Sequence, residues 1–364
     1  MRSGSLDPSG APASVATPRS LYNESLAGRQ EFRPDSHQFL KPVSPFDERG
    51  KLLPYIVRQE DLVATGEGDN KILSYCFRVC LTDVEANRIP FSPPANYDAR
   101  RYGLVRNYLE RAGRELTRRQ FFGLSALPNG KYDLNSGGAV STNLPGAAWE
   151  YPEATYRRRQ EIWREHLSWT QGLLYFLSHD PTSPETLRTE INRLGLPRDE
   201  FIDNEHWPTQ LYIREARRML GEYVLTQHDL QKYRRKYDSI GMGGYNIDIR
   251  EVQWIAFKVF HFPRVQDEVI SEGYVSMPVD PYEIPYRSLL PRQQECDNLL
   301  VPVCISASQV AYGSFRMEPQ FMIAGHCAGT AAALAIRAGV ALHRIDIGLL
   351  QQKLRAQGQV LSLE

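Results

Sequence analysis

Leu73, Tyr75, Phe77, Val79 and Leu81 take every second position between polar or small residues, the period of a strand with one buried face. From Asp98 to Leu116 apolar residues recur at helical spacing among many arginines, and Pro152 to Ser178 predicts a long helix opened by an early proline. Its interior, Ile162 to Trp169 and then Leu173 to Leu177, carries aromatics at one-turn intervals, as a core-facing helix does. Further helices are expected near Pro184 and after Thr226, where Asp229 places a carboxylate in the first turn. After Gly241 the pattern shortens. Tyr245 to Arg250, Val269 to Met277 and Leu299 to Val303 read as strands separated by Gly and Pro, and an Ala/Gly-rich helix closes the chain. The pattern predicts an α+β protein. A strand-rich segment spans 21–97, a helical insertion 98–240, a second strand-rich region 241–317, and a closing helix with its tail 318–364. Residues 1–20, rich in Ser, Pro, Ala and Gly, are expected to be disordered and lack the apolar core of a secretory signal.

Composition narrows this picture little. The 364 residues are 42% apolar and 24% charged, and 43 basic side chains balance 43 acidic ones. That length holds two domains or one large one. A pI near 7.1 and a mean hydropathy of −0.44 argue against wholesale binding to nucleic acid or anionic membrane. No stretch approaches the roughly 20 apolar residues of a membrane span; the nearest, Ala331 to Leu342, is broken by Arg337. A soluble protein is expected, cytoplasmic by default. Cys76 and Cys80 would share a strand face roughly 13 Å apart, too far for one metal, and the eight histidines form no HxH or HExxH pair, so no metal site is assigned.

The most specific chemistry lies from Asn298 to Leu334. A buried strand, Leu299 to Val303, is expected to run into a small-residue loop, Ser306 to Ser314, and then a helix begins at Pro319, a residue suited to the first turn. The start of a helix offers unbonded N–H groups and partial positive charge, which suit an anion or a carbonyl gaining charge. Within that helix Gly325 and Gly329, followed by Thr330 and Ala331 to Ala333, form a flat stripe open to another backbone or a planar ligand.

This string resembles the C-terminal segment of the FAD-dependent oxidoreductases, in the branch often labelled xanthan-lyase-like. The likeness extends through Leu21 to Gly28, Ser74 to Thr82, Asn129 to Asn135, Gln171 to Leu177, Gln210 to Arg218, Gly244 to Arg250 and Pro285 to Leu289. The resemblance implies an α/β-derived flavoprotein fold with FAD as cofactor. Ser306, Ala307, Tyr312, Gly313, Arg316, Glu318 and Pro319 would line the flavin, with Gly325, Gly329 and Thr330 on the closing helix. It also places Tyr245, Asn246 and Asp248, with Tyr286 and Arg287, near the flavin face as candidate substrate-binding groups. Arg316 suits either the negative charge of reduced flavin or an ion pair with Glu318. The arginines from Arg214 to Arg218 suit either acidic sugars or a solvated helix face.

Such enzymes bind the ADP part of FAD on a strand, a GxGxxG turn and a helix. This chain has no GxGxxG: Gly66-Glu-Gly68 lacks the third glycine, Gly241-Met-Gly-Gly244 runs into a strand pattern, and Gly137-Gly138 sits in a polar loop. Three explanations stand: a truncated or partial chain, a partner of a separately encoded nucleotide-binding chain, or a remnant kept for binding. The intact flavin-closing segment favours the first. The expected function is an FAD-dependent oxidoreductase acting on a small molecule, with carbohydrates and polyols as candidates. The alternative is a non-catalytic carbohydrate-binding or interaction protein.

Overall fold

The computed structural model describes residues 19–28, 37–231 and 234–363, so the tail expected over 1–20 lies outside it except for its last two residues. In chain order the first elements are α1 (Arg19–Tyr22), β1 (Ile56–Arg58), β2 (Val79–Thr82), β3 (Arg88–Ile89), α2 (Gly103–Ala112), β4 (Phe122–Leu127) and β5 (Lys131–Ser136). Then come α3 (Tyr156–His179), α4 (Glu185–Asn192), β6 (Leu196–Pro197), α5 (Gln227–Gln231), β7 (Ser239–Gly243) and β8 (Ile247–Ile249). The last are β9 (Gln253–His261), β10 (Arg264–Glu272), β11 (Val275–Met277), β12 (Tyr282–Pro285), α6 (Gln309–Phe315), α7 (Glu318–Ala338) and α8 (Ile347–Ala356). The class is mixed α+β, with small sheets ordered β1-β9-β10, β2-β5-β4, β8-β11, β7-β12 and β3-β6. All these pairings are antiparallel except β1 with β9.

Two apolar cores organise these pieces. The first gathers Phe77, Val79 and Leu81 with Tyr102, Val105 and Tyr108, Phe122, Leu134, and the inner face of α3 at Trp169, Leu173 and Phe176. Helix α3 starts where the Thr155 hydroxyl accepts from the Arg158 N–H at 3.3 Å, and its apolar residues recur every three or four positions, which turns one stripe inward. The second core holds Leu225, Ile240, Ile247, Ile284, Leu289, Val310 and Phe315 against Ala324, Cys327 and Ala331 of α7 and Leu350 and Leu354 of α8. Helix α7 ends at Gly339, whose φ of +65° is the left-handed conformation that glycine adopts without strain.

Several expectations are corrected. Alternation from Leu73 to Leu81 yields regular strand only from Val79, because Cys76 pairs in an isolated bridge with Tyr212. The expected helix over 98–116 is α2 flanked by single 3₁₀ turns, cut at Gly113 with φ +48°. A hairpin, β4–β5, sits inside the stretch read as helical, turned by Asn129 at φ 63° and Gly130 at φ 66°. Leu299 to Val303 is irregular and its ends are exposed, 37% at Leu299 and 44% at Val303, so no buried strand forms there. The expected loop from Ser306 to Ser314 is largely helix α6, capped by Ser308 accepting from the Ala311 N–H at 3.1 Å. By length and composition alone, helix α7 is long and apolar enough to cross a membrane, with a mean hydropathy of 1.3 over its best window, and Arg337 interrupts its apolar run as expected.

Candidate functional site

A cavity of about 440 Å³ opens between the two cores. Volumes of this order are usual for small-molecule sites. From the first core's side come Arg78, next to β2, Asp133 and Asn135 of β5, and the extended pair Tyr212 and Arg214. From the second core's side come Tyr245, Asp248 of β8, Arg250, Arg316 at the end of α6, and Met317 and Glu318 at the start of α7. Asp133 and Asn135 are two apart on a strand and so present both side chains on one face, while Tyr212 is held by its bridge to Cys76 and Arg214 by its bond to the Ser74 carbonyl.

Four guanidinium groups dominate the walls, and they are unequally paired. Arg78 makes a two-pronged pair with Asp133, with Nε at 3.0 Å from Oδ1, and lies over the Tyr212 ring at 5.6 Å. Arg316 donates from Nη2 to Asp248 Oδ2 at 2.8 Å and to its backbone carbonyl at 3.0 Å. Arg250 Nε approaches the other oxygen of Asp248 at 3.4 Å. Arg214, only 4% exposed, donates to the Ser74 carbonyl at 2.7 Å, to Cys76 Sγ at 3.2 Å and to Ser136 Oγ at 3.3 Å, all neutral acceptors. Burial, together with the nearby Arg214, lowers the Arg316 pKa below the usual guanidinium value despite the help of Asp248. Arg316 Nε is buried with no hydrogen-bond partner. An orphaned donor on a buried cation is costly unless something outside the described chain accepts from it.

The expected flavin and substrate residues divide between this cavity and other places. Arg316, Glu318, Tyr245 and Asp248 meet in the cavity. Gly313 packs on β8, where an added Cβ would stand 3.2 Å from Ile249, and Tyr312 is buried with its hydroxyl on the Val303 carbonyl at 3.2 Å. Ser306 and Ala307 are buried in the second core's backbone network, with Ser306 Oγ accepting from the Gly221 N–H at 2.9 Å and the Ala307 carbonyl from Arg218 Nε at 3.1 Å. Pro319, in the first turn of α7, is exposed, and Asn246 is half-buried beside the cavity rather than among its lining side chains. Tyr286 bonds the Leu342 carbonyl at 3.1 Å and Arg287 pairs with Asp238 at 2.9 Å, both away from the cavity. Gly325, Gly329 and Thr330 line a separate depression on the outer side of α7, and a Cβ added to either glycine meets nothing within 4 Å. Arg78, Asp133, Asn135, Tyr212 and Arg250 were not singled out as site residues from sequence, although all five lie in the quoted segments; their signal is the two-residue spacing of polar groups in strand-like runs.

The cavity is polar, rich in arginine and walled by the two cores. The chain belongs to the FAD dependent oxidoreductase family, whose family model matches residues 9–354. No curated protein and no solved structure matches it. Membership implies FAD, and the residues here fit one end of that cofactor. The start of the 21-residue helix α7, with no side-chain cap, suits the ring system, which gains negative charge on reduction. They do not fit the diphosphate end: among the described residues no GxGxxG turn joins a strand to a helix, and the one parallel pair, β1–β9, begins from a three-residue strand followed by a 3₁₀ turn.

Proposed function

We propose that the chain is the ring-facing and substrate-facing part of an FAD-dependent oxidoreductase that acts on a small molecule, a carbohydrate or polyol by its polar lining. The observation that carries this reading is the convergence of Arg316, its Nε unpartnered, with the start of α7, Tyr245 and Asp248 in one cavity. In this reading the diphosphate of FAD is gripped by a nucleotide-binding lobe outside the described residues, and the likeness of the segments between Leu21 and Leu289 supports the xanthan-lyase-like branch. When bound, the flavin supplies hydride transfer. The first turn of α7 would face the negative charge that develops, and Asp248, engaged by two guanidinium groups, fixes Arg316 and Arg250 in the wall. Tyr245, 44% exposed at the rim, offers a hydroxyl to the substrate.

The test is the visible spectrum of the purified chain incubated with excess FAD and passed through a desalting column. Bands near roughly 375 and 450 nm, a property of the cofactor, are expected once a nucleotide-binding partner is supplied. Their absence with and without that partner favours the second reading, a non-catalytic binding protein. That reading has its own support in the outer face of α7, where Met322 is 72% and Ile336 81% exposed.

A further inference from the structure

The cavity walls carry four arginines, Arg78, Arg214, Arg250 and Arg316, and three carboxylates, Asp133, Asp248 and Glu318, while the buried Glu251 beside Arg250 supplies a fourth negative charge from behind the wall. The pairing among them is uneven. Asp133 is committed to Arg78, Asp248 is divided between Arg316 and Arg250, and Glu318 is exposed at the rim. Arg214 is therefore buried on neutral acceptors alone, close enough to Arg316 to disfavour its charge, while Arg316 keeps an unused Nε–H. Two guanidinium groups held this way without a counter-ion between them are costly, and a planar anion accepting from both would relieve that cost.

We infer that the cavity binds a monocarboxylate, seated between Arg214 and Arg316, and that the substrate is accordingly a polyhydroxy acid. One planar carboxylate can accept from both guanidinium groups at once. Asn135, Tyr212 and Tyr245 supply hydroxyl-binding groups along the same wall. This deepens the oxidoreductase reading and rests on it for the word substrate, but the binding itself needs no flavin.

The experiment is isothermal titration of the full, flavin-free chain with D-gluconate, with neutral D-glucitol and with pyrophosphate. Gluconate is expected to bind at least roughly tenfold more tightly than glucitol. Arg214→Gln should weaken gluconate at least roughly tenfold and leave glucitol unchanged, with Arg214→Lys recovering part of the loss. Because Arg214 also holds the Ser74 carbonyl, Arg316→Gln serves as the second variant, and in the unaltered chain gluconate affinity should fall as salt rises from about 50 to 500 mM. Equal binding of the two ligands, binding of neither, or gluconate binding indifferent to all of these changes overturns the inference. So does pyrophosphate displacing gluconate through the same arginines, because that would assign the charge to the cofactor. Gluconate binding with no flavin uptake, even when a nucleotide-binding partner is supplied, sinks the oxidoreductase reading and leaves the carboxylate site standing; flavin uptake without gluconate binding does the reverse.

Discussion

Asp248→Asn removes the negative charge that two guanidinium groups share while keeping a carbonyl oxygen for Arg316 to donate to. Among the described residues no other carboxylate lies within ion-pair distance of Arg316 or Arg250. The side chains are 3% exposed at Arg316, 8% at Asp248 and 15% at Arg250, so water replaces the lost charge poorly. Breaking one partner out of a buried pair costs about 3–5 kcal/mol, and a unit pair 4 Å apart at an effective dielectric of 20 is worth about 4 kcal/mol. The open side of the cavity admits some hydration, which puts the expected loss at about 3 kcal/mol, the lower end of that range. With an unfolding entropy of roughly 2.1 cal/mol/K per residue over 364 residues, that is a fall in Tm of about 4 °C. Circular dichroism melts at low salt measure it. Raising the chloride concentration should narrow the gap by screening the uncovered cations. Asp133→Asn is the control. Its partner Arg78 is 36% exposed, and the loss should stay under about 1 kcal/mol. A variant melting within a degree of the unaltered chain at low salt, or two equal losses, would refute the claim that Asp248 is the counter-ion of a buried cationic cluster.

Acid should act through Glu251, which is fully buried. Burial pushes its carboxyl up, but the His37 ring and the Arg250 guanidinium more than reverse this and hold it at about 2, against 4.5 for a free side chain. That difference stabilises the fold by roughly 3 kcal/mol, intact above the unfolded value and lost as the pH falls toward the folded one. Glu251→Gln should therefore flatten the acid limb of stability against pH between these values, and an unchanged limb argues against the assignment. Gly172→Ala places a Cβ 1.9 Å from the Tyr102 hydroxyl, which donates to the Ser168 and Trp169 carbonyls. A loss of about 2 kcal/mol is expected from overpacking, and in urea melts the double variant with Tyr102→Phe should lose less than the two single losses added. Gly325→Ala and Gly329→Ala, each in open space on α7, should raise stability by about 0.5–1 kcal/mol through helix propensity; a fall in Tm for either would mean that the outer face of α7 is packed in solution.

The parts of the fold legible in the sequence were those whose pattern is long and local. Helix α3 appears within a few residues of its expected bounds because a 24-residue apolar stripe leaves no competing period. Helix α7 starts within a residue of Pro319, whose missing N–H belongs in a first turn. Shorter signals were read less well. Asn129-Gly130 between alternating residues is a strong hairpin cue, yet a window dense in arginine drew the reading toward helix and hid β4–β5. Leu299 to Val303 has strand composition, but it is left exposed, because propensity in a five-residue run yields to tertiary packing. At the site, Tyr245, Asp248, Arg316 and Glu318 came together from segments about 70 residues apart, while Tyr286 and Arg287, in a similar strand-like context, faced elsewhere. Face and register decide which residues meet, and a single sequence states neither.

The cavity's position explains why two of its cations are left to repel each other. Arg214 is tied to Ser74 and Ser136, flanking the first core, whereas Arg316 and Asp248 are tied to α6 and β8 of the second. Repulsion between Arg214 and Arg316 therefore acts across the seam of the two cores rather than inside either one. A ligand carboxylate between them replaces that repulsion with two charge-assisted hydrogen bonds that join the cores. A neutral polyol makes hydroxyl contacts on the same wall but leaves the repulsion in place. The discrimination thus follows from relief of a cost built into the free protein, so a variant that removes the repulsion by neutralising Arg214 loses selectivity for the acid even if its fold is unharmed.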